Sequence, residues 1–380
     1  MTEKLYYIDA YIKEFSAVVT ECTEKDGYYL VALDKTAFFP TEAGQSADGG
    51  YIDGIAVLDA TERDGVVYHK TDSPLEVGRT VLCRLDFEER LEKMRAHTAE
   101  HLLSGIIYKN YGFSNVGFHL GDSLVTFDAS GKLDADMIGK IELEANRAVL
   151  ENKSVYAYFP SNEELSLTEY RSKSEILGRV RLVCIEDYDL CACCAPHVAS
   201  TGEIGLIKIV GFESHRGGTR MYMLAGLSAL FDYRAKERVI RSASAMLSAP
   251  EEKIPEALRA ELEAKEELKY ELHTLSLSLA RHIAEGLEER EGSLVVYAPE
   301  LDSEAQRELS NLGCERTGGY FVALTGEESS YRYVISKKTD FTREETAQIN
   351  SALSGRGGGR GKMISGSFYT SLEKIKDYFK

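Results

Sequence analysis

His97 and His101 stand four residues apart in the stretch Leu85 to Tyr108, LDFEERLEKMRAHTAEHLLSGIIY. In a helix that separation sends both imidazoles from one face about a turn apart, where they could share a metal ion. The stretch reads as one helix: Leu91, Met94, Leu102, Leu103, Ile106 and Ile107 recur at helical spacing, and charged residues fill the other side before His97. Two histidines on a helix are more often ordinary surface or packing residues. A second pair at the same separation, Cys193 and His197, lies downstream in DYDLCACCAPHVASTGEIG, in a loop that leaves a strand and contains Pro196. Three imidazoles and a thiolate complete a tetrahedral set suited to Zn2+, a borderline-soft cation. Cys191 and Cys194 are competing thiolates, but Cys193 alone stands four before His197. Glu100 is a candidate base, although a solvated helix residue is the commoner reading.

These pairs need elements to bring them together. Residues 1–85 read as strand-rich, with strands at Leu5 to Phe15, Tyr28 to Leu33, Tyr51 to Leu58, Val66 to His69 and Thr80 to Leu85, and turns at Asp26-Gly27 and Asp64-Gly65. A small β-barrel is expected. Within it, TAFFPTEAGQSADGGYI (Thr36 to Ile52) reads as a binding loop or a long hairpin. Gly44, Gly49 and Gly50 would let a backbone approach a ligand, and Gln45 offers an amide. Residues 86–227 alternate helix and strand, an α+β layer. Its strands are two short ones around Gly121-Asp122, then Val155 to Tyr158, Val180 to Ile185, Ile204 to Phe212 and Arg220 to Leu224, with a helix from Ala135 to Glu151.

From 228 to 291 the composition turns to Leu, Ala, Glu, Lys and Arg. Leu258, Leu262, Leu268, Leu272, Leu275, Leu279, Ile283 and Leu287 recur mostly at three or four, as in a coiled-coil or helical-hairpin arm broken by Pro250 and Pro255. The arm reads as a spacer or dimerisation element, with His273 and His282 solvated. Residues 292–380 form an α/β unit with strands at Ser293 to Tyr297, Tyr320 to Leu324 and Arg332 to Ser336, and helices from Asp302 and Thr342. In SGRGGGRGKMISGS, Arg356, Arg360 and Lys362 thread a glycine cluster like a phosphate-cradling loop, though without the Lys-Ser/Thr ending of a P-loop.

The chain has 380 residues, enough for two or three cores. No apolar run of membrane-spanning length appears, and the start MTEKLYYIDAY lacks a signal sequence. Seven cysteines, an odd number partly bunched in one loop, point to a reducing compartment, the cytoplasm. Net charge is −17, yet residues 330–380 hold ten Lys or Arg against five Asp or Glu, a local +5 that could meet phosphates.

Taken together, HTAEH, CCAPH, FFPTEAGQSADGGYI and STGEIG resemble the editing domain of alanyl-tRNA synthetase and its free-standing relatives, the AlaX proteins, in their long form. The last unit resembles the C-terminal domain that follows that editing domain. Ala43-Gly44 replaces the family's usual Gly-Gly, and Cys193-Cys194-Ala195-Pro196-His197 its Cys-Gly-Gly-Thr-His. The resemblance implies an ATP-independent deacylase of mischarged tRNA(Ala), chiefly Ser-tRNA(Ala) and also Gly-tRNA(Ala), acting in translation fidelity. It implies Zn2+ on His97, His101, Cys193 and His197, Thr36 and Gln45 at the amino acid, and tRNA contacts or a homodimer through the arm and C-terminal domain. A four-ligand zinc is a closed site, which favours orienting the substrate over activating water, with a water held by Gln45, the tRNA ribose or both. Two rivals stand beside it. His97-Thr98-Ala99-Glu100-His101 fits the inverted zinc-peptidase motif with Glu100 as base, which leaves Cys193 and His197 unexplained. A zinc-stabilised RNA-binding protein without catalysis would use the same four ligands structurally.

Overall fold

The computed structural model describes residues 1–42, 44–121, 124–172, 178–327 and 330–380. Its mixed α and β elements group into two units, Met1–Val239 and Ile240–Lys380.

In the first unit, Glu14–Lys25, Tyr28–Leu33, Val66–Thr71, Ile55–Arg63, Gly50–Ile52 and Thr80–Leu85 pair in that order, and the last returns to the first to close a barrel. Three tight hairpins set the register: Asp26-Gly27, Asp53-Gly54 and Asp64-Gly65 all have positive φ at both residues, the type I′ geometry that matches strand twist. The second of these corrects the single strand expected over Tyr51 to Leu58, which is a hairpin folded at Asp53. Leu5 to Phe15 is also no strand. Leu5–Tyr7 makes one 3-10 turn, the Asp9 carboxylate captures the Tyr11 N–H at 2.8 Å, and the strand begins only at Glu14. A local Asx turn thereby outcompetes the ladder.

Inside the barrel His69 is fully buried. Its Nδ1–H donates to the Val31 carbonyl at 3.0 Å, so Nε2 accepts from the Thr36 hydroxyl at 2.9 Å, while Thr36 Oγ1 accepts from Phe38 N–H at 3.1 Å. Burial, opposed by the Val31 bond, pushes the imidazole down to about 4. The unfolded chain therefore binds the proton more readily than the folded one between roughly pH 6.5 and 4. Stability from this group is full above that window and falls with falling pH, by about 1.4 kcal/mol per pH unit. Urea midpoints of His69→Gln beside the parent chain are expected to show a shallower loss across that window; identical slopes would remove His69 as the cause.

The histidine helix runs Phe87–Tyr111. The Asp86 carboxylate caps it by accepting from Glu89 N–H, and Gly112 closes it at φ 71°. From His97 to Ile107 every residue is buried, so this half is enclosed on all sides rather than amphipathic. It shares a core with the helix Ala135–Glu151, with Asn115–Leu120 and Val125–Ala129, and with the hairpin Ile207–His215 and Gly218–Ala225. These four strands form one sheet; Val155–Tyr158, Leu182–Ile185 and Asp189–Ala192 form another that delivers the cysteine loop. The turn expected at Gly121-Asp122 falls at Asp122 outside the described residues, as does Ala43. A further helix, Leu227–Leu247, carries the chain across the division between the units.

In the second unit the arm helix is Ile254–Glu285. Pro255 sits in its first turn, where no N–H is required, so Pro255 starts the helix rather than breaking it. Ser276, Ala280 and Ala284 pack it down, while Leu258, Leu262, Leu268 and Leu272 are exposed. His273 is not simply solvated: its Nδ1 lies 2.6 Å from the Asp302 carboxylate. A five-stranded sheet follows in the order Leu294–Tyr297, Phe321–Glu327, Ser330–Ser336, Met363–Phe368, Gly355–Arg360. Its last strand is the glycine cluster read above as a loop. The correction has a steric cause, because a Cβ on Gly357 would stand 2.4 Å from both Tyr333 Oη and the Ser365 carbonyl oxygen. Only a strand without side chains lies that close. Arg356, Arg360 and Lys362 lie along this edge hairpin, all three exposed, with the lysine in its turn. No helix among the described residues is long and apolar enough to cross a membrane.

Candidate metal centre and the cleft beside it

Four side chains distant in sequence meet between the histidine helix and the cysteine loop. One ligand atom from each of His97, His101, Cys193 and His197 lies within 4.8 Å of all the others. The imidazole centroids are 4.7 to 5.2 Å apart, and Cys193 Sγ is 3.7 Å from His97 Nε2. Cys193 joins this quartet; Cys194 does not, and Cys191 groups with His101 and Asp189.

Each imidazole is oriented from behind. His97 Nδ1–H donates to Gln45 Oε1 at 3.0 Å. The Thr98 hydroxyl gives its proton to the Met94 carbonyl at 2.7 Å, so it must accept from His197 Nδ1–H at 3.0 Å. His101 Nδ1 stands 3.3 Å from Asp189 Oδ2, an ion-pair distance that falls short of a well-formed hydrogen bond. With all three Nδ1 atoms facing acceptors, the Nε2 atoms are left for the interior of the quartet, where His97 Nε2 lies 3.7 Å from the thiol sulfur. That is the arrangement by which outer partners fix a metal-binding histidine.

The electrostatics agree. Burial alone raises the Cys193 thiol, but charge on His97 and hydrogen bonds from the three histidines hold it well below the ordinary thiol range. Burial disfavours charge on His101, yet Asp189 and Cys193 bring its pKa up to about 9, whereas burial drives His197 down to about 3. A thiolate beside one retained proton is the state that a cation displaces on binding. Cys191 is pushed up to about 12 by burial and stays a neutral thiol. The quartet therefore fits zinc by donor type, protonation and orientation.

Gln45 belongs to the segment that leaves the barrel. That segment is fastened to the histidine helix by the buried pair Arg90–Asp48 and by Lys93 Nζ donating to the Ala47 carbonyl at 2.6 Å. Gly44, at φ 79°, is needed because a Cβ there would meet Phe118 O at 2.7 Å, and Phe118 itself stacks on His97 at 4.6 Å. Gly50 lets the chain pass the Arg84 carbonyl, and Gly49 faces the Glu89 side chain. These two glycines serve packing against the barrel rim and the helix.

A cleft of about 420 Å³ opens beside Gln45, lined also by Thr41, Glu42, Gly44, His119 and Leu120. His97 takes the Gln45 oxygen, so the amide Nε2 is the group left over; it is buried and has no hydrogen-bond partner among the described residues. Thr36 is buried with its hydroxyl engaged by His69 and Phe38. Glu100 is fully buried rather than solvated, and accepts from Ser104 at 2.5 Å and from Asn115. Reading the sequence did not single out Thr98, Asp189, Arg171 or Arg181. Asp189 stands four before Cys193, the same interval as the ligand pairs, and Arg181 Nη1 braces the loop through the Cys193 and Ala195 carbonyls at 3.0 and 2.9 Å.

Residues 180–222, which carry Arg181, Asp189, Cys193 and His197, match the threonyl and alanyl tRNA synthetase second additional domain. Over 99% of its length the chain is 27% identical to the alanyl-tRNA editing protein AlaX-L of Pyrococcus horikoshii, covering 97% of that protein. It is a homologue of AlaX-L. It is also 29% identical over 99% of its length to the alanine-tRNA ligase of Pyrococcus furiosus, of which it spans 43%. The C-Ala domain from Aquifex aeolicus alanyl-tRNA synthetase aligns with 24% of the chain and 94% of that domain at 21% identity, with a TM-score of 0.21. The chain thus aligns with nearly the whole of the free-standing protein and with less than half of the ligase.

Proposed function

We propose that this chain is a zinc-dependent aminoacyl-tRNA deacylase that clears mischarged tRNA(Ala), chiefly of serine and also of glycine. The observation that carries the reading is the inward-facing quartet of His97, His101, Cys193 and His197 beside a cleft with an unpartnered amide. The end-to-end similarity to an alanyl-tRNA editing protein supports the substrate class. In this reading residues 1–85 supply the barrel and its cleft segment, 86–227 the metal centre, 228–291 an arm for dimerisation, and 292–380 the tRNA contacts through Arg356, Arg360 and Lys362.

Zinc in such a set supplies positive charge that orients an amine or polarises a carbonyl or a water. The chain's own residues do the rest. His97 holds Gln45 Oε1, which leaves Nε2–H, buried beside the cleft, to donate to the ester carbonyl as negative charge develops there once the substrate uncovers it. Thr36 acts from within the barrel, holding Phe38 and His69, and Glu100 acts from within the helix core. Against the peptidase alternative, Glu100 already accepts two hydrogen bonds inside the protein.

The test is deacylation of Ser-tRNA(Ala), Gly-tRNA(Ala) and Ala-tRNA(Ala) by the purified chain. Rapid loss of serine with alanine spared supports the reading; a zinc-loaded chain that leaves all three intact overturns it. Gln45→Glu separates two roles, because it keeps an oxygen for His97 but deletes the donor. It is expected to retain zinc and to lose about 10²-fold in kcat, the typical cost of one oxyanion donor. Unchanged kcat would place Gln45 outside the chemistry.

A further inference from the structure

We infer that Asp189, clamped by Arg171, is the positioning residue that fixes His101 as a metal ligand, and that the adjoining group of His101, Asp189 and Cys191 is not a second ion site. The inference rests on the quartet being a metal centre.

Asp189 opens the strand Asp189–Ala192, just before the cysteine loop. Its carboxylate is met fork to fork by Arg171, with Nε donating to Oδ1 at 2.7 Å and Nη2 to Oδ2 at 2.8 Å. The Asp189 and Arg171 side chains are 2% and 11% exposed, so this bidentate pair is nearly dry. The clamp is itself held by main chain: Arg171 N–H donates to the Leu190 carbonyl and Ala192 N–H to the Arg171 carbonyl, both at 2.9 Å. Only Oδ2 also faces His101, at 3.3 Å from Nδ1.

The histidine helix is shaped to bring the two together. Gly105, one turn after His101, is buried mid-helix, where glycine is less favourable than alanine. A Cβ there would stand 2.5 Å from the Tyr188 carbonyl oxygen and 2.8 Å from Asp189 Cβ. The glycine therefore allows a close approach of the helix to the Asp189 turn, and that approach sets the depth of His101.

The three orienting partners differ in charge. Gln45 and Thr98 are neutral, while Asp189 is a carboxylate whose negative charge, 3.3 Å from Nδ1, favours the proton on that nitrogen and leaves the opposite one as donor to a cation. Arg171 matters equally. By occupying both oxygens in a planar fork it keeps the carboxylate from rotating, and it supplies a positive charge where a second cation would otherwise have to sit.

The experiment measures zinc affinity by chelator competition, zinc per chain, and the spectrum of the cobalt-substituted protein, all on the full chain without RNA. Asp189→Ala alone strands the Arg171 charge, so it is combined with Arg171→Leu. Asp189→Asn, which keeps an oxygen for His101 Nδ1–H, is the conservative partner. The double variant is expected to bind zinc about 10- to 100-fold more weakly than the parent, and the Asp189→Asn variant to fall between the two. One ion per chain and the thiolate-to-cobalt charge-transfer band of Cys193 should persist in both. Parent-like affinity in the double variant overturns the inference and leaves the proposed activity standing. Two ions in the parent and one in the double variant would make Asp189 a ligand, which overturns it as well. If the double variant does not fold, Asp189→Asn decides alone, an affinity equal to the parent's counting against the clamp. A parent chain that binds no zinc sinks both this inference and the metal reading.

Discussion

Cys193→Ala is expected to lose zinc and Ser-tRNA(Ala) hydrolysis together while the barrel and the C-terminal sheet remain folded. Cys193 is the one anionic ligand of the quartet, held as a thiolate by the three imidazoles around it. Apparent binding energies of about 10–16 kcal/mol for structural zinc sites, spread over four ligands, put one ligand at roughly 2.5–4 kcal/mol. That corresponds to a metal affinity lowered by about a hundred- to a thousandfold, enough to empty the site at ordinary zinc levels. Cys191→Ala is the control. Its thiol is buried and neutral and lies outside the quartet, so metal content should stay at the parent's value. Metal analysis, deacylation and circular dichroism on the same samples check the result. Zinc retained in Cys193→Ala with full hydrolysis would remove the quartet from the reaction. Chelation that unfolds the chain before hydrolysis fails would favour the structural reading of the metal.

The quartet could be anticipated because its two halves are local: each pair is separated by four residues, and a turn of helix or a short loop is enough to present both members. What orients the quartet is not local. Asp189 and Arg171 meet because an isolated parallel bridge sets Arg171 against Cys191, and Gln45 reaches His97 only because the barrel returns its 36–50 segment to the helix. Gln45 was recognisable as an amide near glycines, but its unpartnered Nε2 is a statement about three dimensions. Thr98 hides as an ordinary helix residue, and only its back-bond to the Met94 carbonyl reveals why it can accept from His197.

The fold divides the same way. Ala135–Glu151, Tyr28–Leu33, Thr80–Leu85 and Val155–Tyr158 fall where their periodicity and end signals put them. Expectations fail where one local rule overrides another. At Leu5 to Phe15 an Asx turn defeats an alternating pattern, and at Asp53-Gly54 a two-residue turn too short to notice splits one apparent strand into a hairpin. Gly355–Arg360 is a strand in spite of its composition, since contacts with Tyr333 and Ser365 exclude any side chain at Gly357. No sequence window holds that information.

The largest effect on stability is expected at Arg90. Its guanidinium is fully buried against Asp48, with further donors to the Ala37 and Ala10 carbonyls at 2.6 and 3.1 Å, and Asp48 Oδ2 also accepts from Phe39 N–H at 2.5 Å. Removing one partner leaves the other charge in a dry interior, so Arg90→Ala should cost about 3–5 kcal/mol and lower the melting temperature by roughly 10 °C. Replacing the pair by Arg90→Leu with Asp48→Leu removes both charges, and most of that loss should return. Hydrolysis should not return with it. The Ala37, Ala10 and Phe39 backbone groups lose the partners that hold the 36–50 segment, and Gln45 rides on that segment; a misplacement of about 1 Å at a catalytic donor costs on the order of 10²-fold. Melting curves and kcat on the single and double variants therefore report different things about one ion pair. A double variant that recovers both would mean that packing alone places Gln45, while recovery of stability without activity identifies the Arg90–Asp48 pair as the fastening that couples barrel and metal centre.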